Sequence, residues 1–138
     1  MHQLTETLTQ QECLSAKPSV VFQALTDPAM QQKWTGARAT GRAQVGKRFT
    51  VFDEYISGRY LDLQPGRRIL KEWQTVHWHL NAPPSIVEIT LEETGGEETL
   101  LTMVQSLIPS GQTDSIKQEW RERYWKPLGT YLATLNNT

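Results

Sequence analysis

Apolar and polar positions alternate at the start of the chain and then switch to helical spacing. Leu4, Glu6, Leu8, Gln10 and Glu12 stand against Thr5, Thr7, Thr9, Gln11 and Cys13, a Thr-rich period-two pattern that predicts an antiparallel strand over 3–13. Lys17-Pro18 opens a helix, because proline is tolerated where the first helical N–H would have no partner anyway. Val20, Val21, Ala24 and Leu25 supply its apolar face. Asp27 and Pro28 restart it as N-cap and first-turn residue, and Met30, Lys33 and Trp34 continue at helical spacing. Two short helices meeting at a bend are therefore expected after the first strand.

Turn signals then punctuate short β-branched and apolar runs at Val45-Gly46, Asp53-Glu54, Pro65-Gly66, Pro83-Pro84 and Gly95-Gly96. They predict strands over 38–44, 48–53, 55–64, 68–75, 85–93 and 98–107, joined by hairpins and so antiparallel. Gly46 is expected at positive φ, and Gly58 inside a strand marks a bulge or the close approach of another backbone. Beyond Ile108-Pro109 a polar loop reaches Ser115, which with Gln118 has the spacing of a capping box. Ile116, Trp120, Tyr124, Leu128, Tyr131 and Leu135 then recur every three or four residues, the strongest periodic signal in the chain. Pro127 interrupts that stretch, removing a donor and crowding the carbonyl of Arg123, so a kink is expected there.

This order of elements is α+β, with a sheet of about seven strands and one long terminal helix. Only that helix can cover the sheet's apolar face, so the sheet must curl around it as a single domain over 1–138. Such an arrangement leaves a concave apolar space where small ligands bind. The candidates for its lining are Trp34, Phe49, Tyr60, Trp73, Met103, Gln105, Trp120 and Tyr124. Core filling accounts for each aromatic more economically, since such rings dominate packing. Gln105 is the more informative member, because an amide among apolar neighbours needs hydrogen-bond partners. Trp78 lies in a Pro-containing connection, where it covers the pocket entrance, contacts a partner or folds back on the protein surface.

Composition narrows the functional classes. Fourteen Lys and Arg against fifteen Asp and Glu leave a formal net charge of −1, so no single-sign field steers the chain onto nucleic acid. Cys13 is the single cysteine, which excludes an intramolecular disulfide and a thiolate zinc site and suits a reducing, cytoplasmic setting. No stretch approaches a membrane span and the N-terminal residues lack a signal-peptide pattern. A monomer is expected, or a homodimer formed through an edge strand.

Reactive chemistry is sparse. His77 and His79 share one strand face and would make a metal site with Glu72 or Glu88 beside them, but a Pro-rich loop favours solvated histidines; no metal or cofactor is expected. Cys13 reads as a buried bystander rather than a nucleophile. Glu92, Glu93, Glu97 and Glu98 flank a glycine turn as a solvated hairpin, and most of the charges of Arg121, Glu122 and Arg123 are expected to face water. Were the chain an enzyme, Tyr60, Glu72 or His79 would serve as acid or base, yet no pair among them has evident reach, so a non-catalytic protein is expected.

Several segments together are similar to a known family. Val21-Phe22-Gln23-Ala24-Leu25-Thr26-Asp27-Pro28 with Trp34, Val45 to Phe49, Ile56 to Pro65, Ile69 to Trp73, Ser85 to Leu91, Thr99 to Gln105 with Ile108-Pro109, and Trp120 with Tyr124, Leu128, Tyr131 and Leu132 resemble the Activator of 90-kDa heat-shock-protein ATPase homologue family. The resemblance covers about 11–132 and implies the START-like, Bet v-like helix-grip fold. It further implies a binding module, chaperone-associated or stress-responsive, whose partner is a chaperone of the 90-kDa heat-shock type. A carrier or sensor of a small hydrophobic ligand is the alternative, and a cyclase- or hydrolase-like enzyme a more distant one. In the eukaryotic co-chaperone a separate N-terminal domain makes the principal chaperone contacts, and such a domain is expected to be absent here; His77-Trp78-His79 resembles one of its short motifs only by chance.

Overall fold

Alternation of buried and half-exposed side chains along six strands builds one antiparallel sheet in the computed structural model, which describes residues 4–135. The strands are β1 (Thr5–Leu14), β2 (Arg48–Val51), β3 (Ile56–Gln64), β4 (Arg68–Thr75), β5 (Ser85–Gly95) and β6 (Glu98–Pro109), in the spatial order β1-β6-β5-β4-β3-β2. Residue 3 of the first expected strand lies outside the described residues. Two helices follow β1, α1 (Pro18–Thr26) and α2 (Pro28–Thr35). Asp27 caps α2 by accepting the Ala29 N–H at 3.2 Å, and Gly36 ends it at φ 71°.

The sheet has six strands rather than about seven. Residues 38–44 pair only through a single bridge, Thr40 with Thr50. Gly41 sits at φ 107°, where a Cβ would stand 2.4 Å from the Arg48 carbonyl oxygen, so the segment passes β2 too closely and too bent to continue a ladder. The expected strand 48–53 stops at Val51 because Phe52, Asp53 and Glu54 all take positive φ and turn the chain into β3.

Glycine 58 is set by a neighbouring backbone. A Cβ there would lie 1.8 Å from the Glu72 carbonyl oxygen on β4 and 2.8 Å from the Phe49 ring. We expect Gly58→Ala to push β3 from β4 and lower stability by about 1–3 kcal/mol, measured by denaturant unfolding. Gly46, at φ 87°, makes the tight turn before β2.

The C-terminal helix runs unbroken as α3 (Thr113–Glu119), a π-helical turn (Trp120–Trp125) and α4 (Lys126–Leu135). It begins two residues before Ser115, without a side-chain cap from Gln112. Its start is held instead from the sheet: the Glu6 carboxylate accepts Thr113 Oγ1 at 2.7 Å and the Gly111 N–H at 3.1 Å. Those two bonds hold the Glu6 carboxyl below its usual range, with Thr113 the larger cause. At Pro127 the missing donor is accommodated by widening the preceding turn, where Lys126 N–H reaches the Arg121 carbonyl five residues back. The wider turn brings Trp120, Tyr124 and Trp125 to the same side, all buried.

The curved sheet thus grips a long helix, the START-like architecture. Ile69, Trp73, Val87, Ile89, Leu101 and Met103 form the floor, and Trp120, Leu128 and Leu132 come down on them. Cys13 is exposed rather than buried, because in β1 the inward positions are the even-numbered Leu8 and Leu14. No helix among the described residues is long and apolar enough to cross a membrane.

Candidate functional site

The eight lining candidates converge in the grip, and each is at most 6% exposed. Trp120 stacks on Trp73 at 5.4 Å between ring centroids, Tyr124 lies 4.2 Å from Trp120, and Trp34 meets Tyr124 at 5.6 Å. Phe49 and Tyr60 form a second pair at 5.0 Å. Both polar atoms of Gln105 have partners: its Oε1 accepts Trp120 Nε1–H at 2.7 Å, and its Nε2 donates to Ser85 Oγ at 2.9 Å. Ser85 Oγ in turn donates to the Trp73 carbonyl at 2.6 Å, so one polar chain joins the helix to β6, β5 and β4.

Two buried polar atoms in this interior, Trp73 Nε1 and the Tyr124 hydroxyl, have no hydrogen-bond partner among the described residues. Burial pushes the Tyr124 phenol well above its usual range, and the nearby Tyr60 phenol adds to the rise. Burial also raises the Tyr60 phenol. Both stay neutral at physiological pH.

The remaining sequence candidates lie apart. Trp78 is 8% exposed, its Nε1–H donating to the Pro83 carbonyl at 2.9 Å, and its ring meets Trp73 edge-on at 6.1 Å. It lines an outer cavity of about 440 Å³ together with Ser57, Thr75, His79 and Leu80. His79 Nδ1 accepts the Asn81 N–H at 3.2 Å and His77 packs edge-on against Tyr55, both histidines being exposed. Among the described residues no cluster of three or more His, Cys, Asp or Glu could hold a metal ion. Glu72 pairs with Arg59 at 3.0 Å and Glu88 with Arg68 at 2.7 Å, on the face of β4 and β5 turned away from the grip, so Tyr60, Glu72 and His79 do not meet.

Arg121 and Glu122 face water as expected of most of these charges, and Arg123 is half-buried. Its guanidinium lies 4.3 Å from the Tyr55 ring and pairs with Glu119 at 3.7 Å, while Glu119 accepts a short hydrogen bond from the Tyr55 hydroxyl. A second concavity, of about 630 Å³, lies between α2 and α4 and is lined by Lys33, Trp34, Lys126, Pro127, Thr130 and Tyr131. Trp34 thus separates this outer groove from the aromatic interior.

Sequence reasoning missed a buried charged residue. Lys71 is 2% exposed, and its Nζ lies 4.9 Å from the Phe49 ring centroid. The signal was present: on β4, Ile69 and Trp73 point inward, so period two requires Lys71 to do the same.

The family pattern described as Activator of Hsp90 ATPase homolog 1-like protein matches residues 15–133. The chain belongs to this family. The human Activator of 90 kDa heat shock protein ATPase homolog 1 is 27% identical over 121 residues, which is 88% of this chain but 35% of the human protein. The chain therefore spans about a third of the length of such curated relatives. In structure, an Hsp90 activator from Plasmodium falciparum matches with a TM-score of 0.79 at 21% identity, covering 86% of this chain and 89% of that one. CalU16 from Micromonospora echinospora matches with a TM-score of 0.77 at 24% identity, covering 92% and 74%. A Chromobacterium violaceum protein is 27% identical with a TM-score of 0.70, covering 91% and 96%. The family's shared part is thus the helix-grip domain itself, from just after β1 through most of α4.

Proposed function

We propose that this domain is a protein-binding module that engages a chaperone of the 90-kDa heat-shock class and alters its ATPase cycle. The observation that carries the reading is the 27% identity to the human activator across 88% of the chain. The surface suits it. The connection from β4 to β5 exposes Val76 (64%) and Leu80 (100%), while Trp78 between them is anchored inward. Apolar side chains held outward by a buried tryptophan form a contact point for another protein.

With purified cognate chaperone, the full chain should change the ATPase rate and form a complex at micromolar concentration, and Leu80→Asp should weaken both. No change in rate together with no complex would remove the reading. A stress-linked role follows from the partner and stands or falls with it.

A second reading, a carrier of a small hydrophobic molecule, is supported by the groove of about 630 Å³ floored by Trp34, Pro127 and Tyr131. That volume lies in the range of small-molecule sites, roughly 300–1,000 Å³. In this reading a ligand displaces Trp34 and reaches Tyr124, Trp120 and Trp73 behind it. Native mass spectrometry of freshly purified protein should then show a mass above that of the chain; the chain mass alone counts against a carrier.

A further inference from the structure

The two helices that wall the outer groove carry charge of one sign. Lys33 is the one charged residue of α2 and Lys126 the one charged residue of α4, and neither helix has an acidic side chain. In the chain as a whole, fifteen acidic residues outnumber fourteen basic ones, so this pairing runs against the overall balance. Both lysines line the concavity of about 630 Å³, and Trp34, Pro127, Thr130 and Tyr131 complete its wall. Lys33 has a local explanation, since it sits in the last turn of α2 where positive charge complements the helix dipole. Lys126 has none of that kind, because the C-terminal helix runs unbroken through it.

Both charges are open to a partner. Lys33 is exposed and, among the described residues, makes no ion pair. Lys126 reaches Glu122 at 3.4 Å, between side chains 67% and 51% exposed. Such an exposed pair one helical turn apart contributes little and exchanges readily with another anion. The rest of the lining is apolar except for Thr130, and two of its members, Trp34 and Tyr131, present aromatic rings. An anion with an apolar body therefore meets a complementary surface without displacing Trp34, whatever depth its apolar end reaches.

We propose that the α2/α4 groove selects hydrophobic monocarboxylates, aromatic acids foremost. The carboxylate pairs with Lys33 and Lys126, while the apolar body lies against Trp34, Pro127 and Tyr131. This rests on the carrier reading and narrows its ligand from a small apolar molecule to an acid. A phosphate suits the groove less well. It brings nearly two charges and three acceptor oxygens, which arginine forks and free helix N–H groups satisfy best. The groove is lined by no arginine, and by the last turn of α2 rather than its first.

The test is calorimetric titration of the full chain with naphthoate and with its neutral counterpart naphthalenemethanol. Naphthoate should bind about tenfold tighter at low salt, the sum of two exposed charge pairs, and the gap should close at high salt. Lys33→Gln combined with Lys126→Gln should bring naphthoate down to the affinity of the alcohol. Both lysines are exposed, so the double variant folds. Thr130→Trp, at another exposed position, should fill the groove and abolish binding of both compounds. Equal affinities for acid and alcohol, both lost in Thr130→Trp, would overturn the proposal and leave the carrier reading standing. No binding of either compound would overturn both. Tight naphthoate binding that survives the double lysine variant would place the acid elsewhere and likewise overturn the proposal.

Discussion

Lys71→Met raises the stability of the protein at neutral pH by roughly 3 kcal/mol. The figure is the gap between an ordinary lysine at 10.5 and the value of about 8 imposed by burial, converted to free energy. Methionine keeps the length of the chain and fills the same space without a charge to desolvate. The pH dependence has a definite sign. Between about 8 and 10.5 the unfolded chain binds a proton at this position that the folded chain has lost, so stability rises with pH across that window. Above pH 10 the buried phenols of Tyr60 and Tyr124, both raised, keep protons that the unfolded chain releases, and stability falls again. Urea unfolding from pH 7 to 11 should therefore show a maximum between these limits, and Lys71→Met should flatten its acid side. An unchanged profile in the variant would mean that Lys71 is solvated in solution.

Trp120→Ala acts in the opposite direction, at a cost of about 3–5 kcal/mol. The indole is fully buried, stacks on Trp73 and Trp125, and donates the hydrogen bond that satisfies Gln105. Removing it leaves a cavity in the grip and strands the Gln105 carbonyl oxygen, so the loss adds a packing part to a desolvation part. Trp120→Phe isolates the second part: the ring remains, the N–H goes, and the cost should drop to about 1–3 kcal/mol. Denaturation midpoints for the pair separate the two contributions. Equal losses for alanine and phenylalanine would mean that the polar chain from Trp120 to Ser85, rather than the stacking, fixes the helix.

Much of this architecture was readable before any coordinates. The terminal helix was legible because Ile116, Trp120, Tyr124 and Leu128 repeat at a helical period over a long stretch, and β4 to β6 because turn residues bound their β-branched and apolar runs, in which every second position is buried from Ile69 to Trp73, Ser85 to Leu91 and Thr99 to Gln105. The segment 38–44 misled because its β-branched and small residues satisfy a strand pattern locally, while the contact that prevents pairing, Gly41 against Arg48, is made only after β2 is in place. The start of the helix escaped for a similar reason: it is anchored by Glu6, more than a hundred residues away, and spacing reports only local partners. Pro127 announced a distortion but not its form, since a kink and a widened turn relieve the same clash. At the candidate site, the aromatic residues were found because their size commits them to the interior. Lys71 was passed over because charge usually outweighs strand parity in deciding which way a residue points.

The contact of Trp120 with both Trp73 and Trp125, and of Trp73 with Trp78, joins four of the five indoles into one array. Their electronic transitions are nearly degenerate and close enough to couple, so the folded protein should show an exciton couplet in its circular dichroism that no single tryptophan produces. Excitation absorbed by one ring migrates to its neighbours, and the emission spectrum becomes a property of the set. Trp34, linked to the array among the described residues through Tyr124, is then the indole whose light can be quenched from the α2/α4 groove without first disturbing the others.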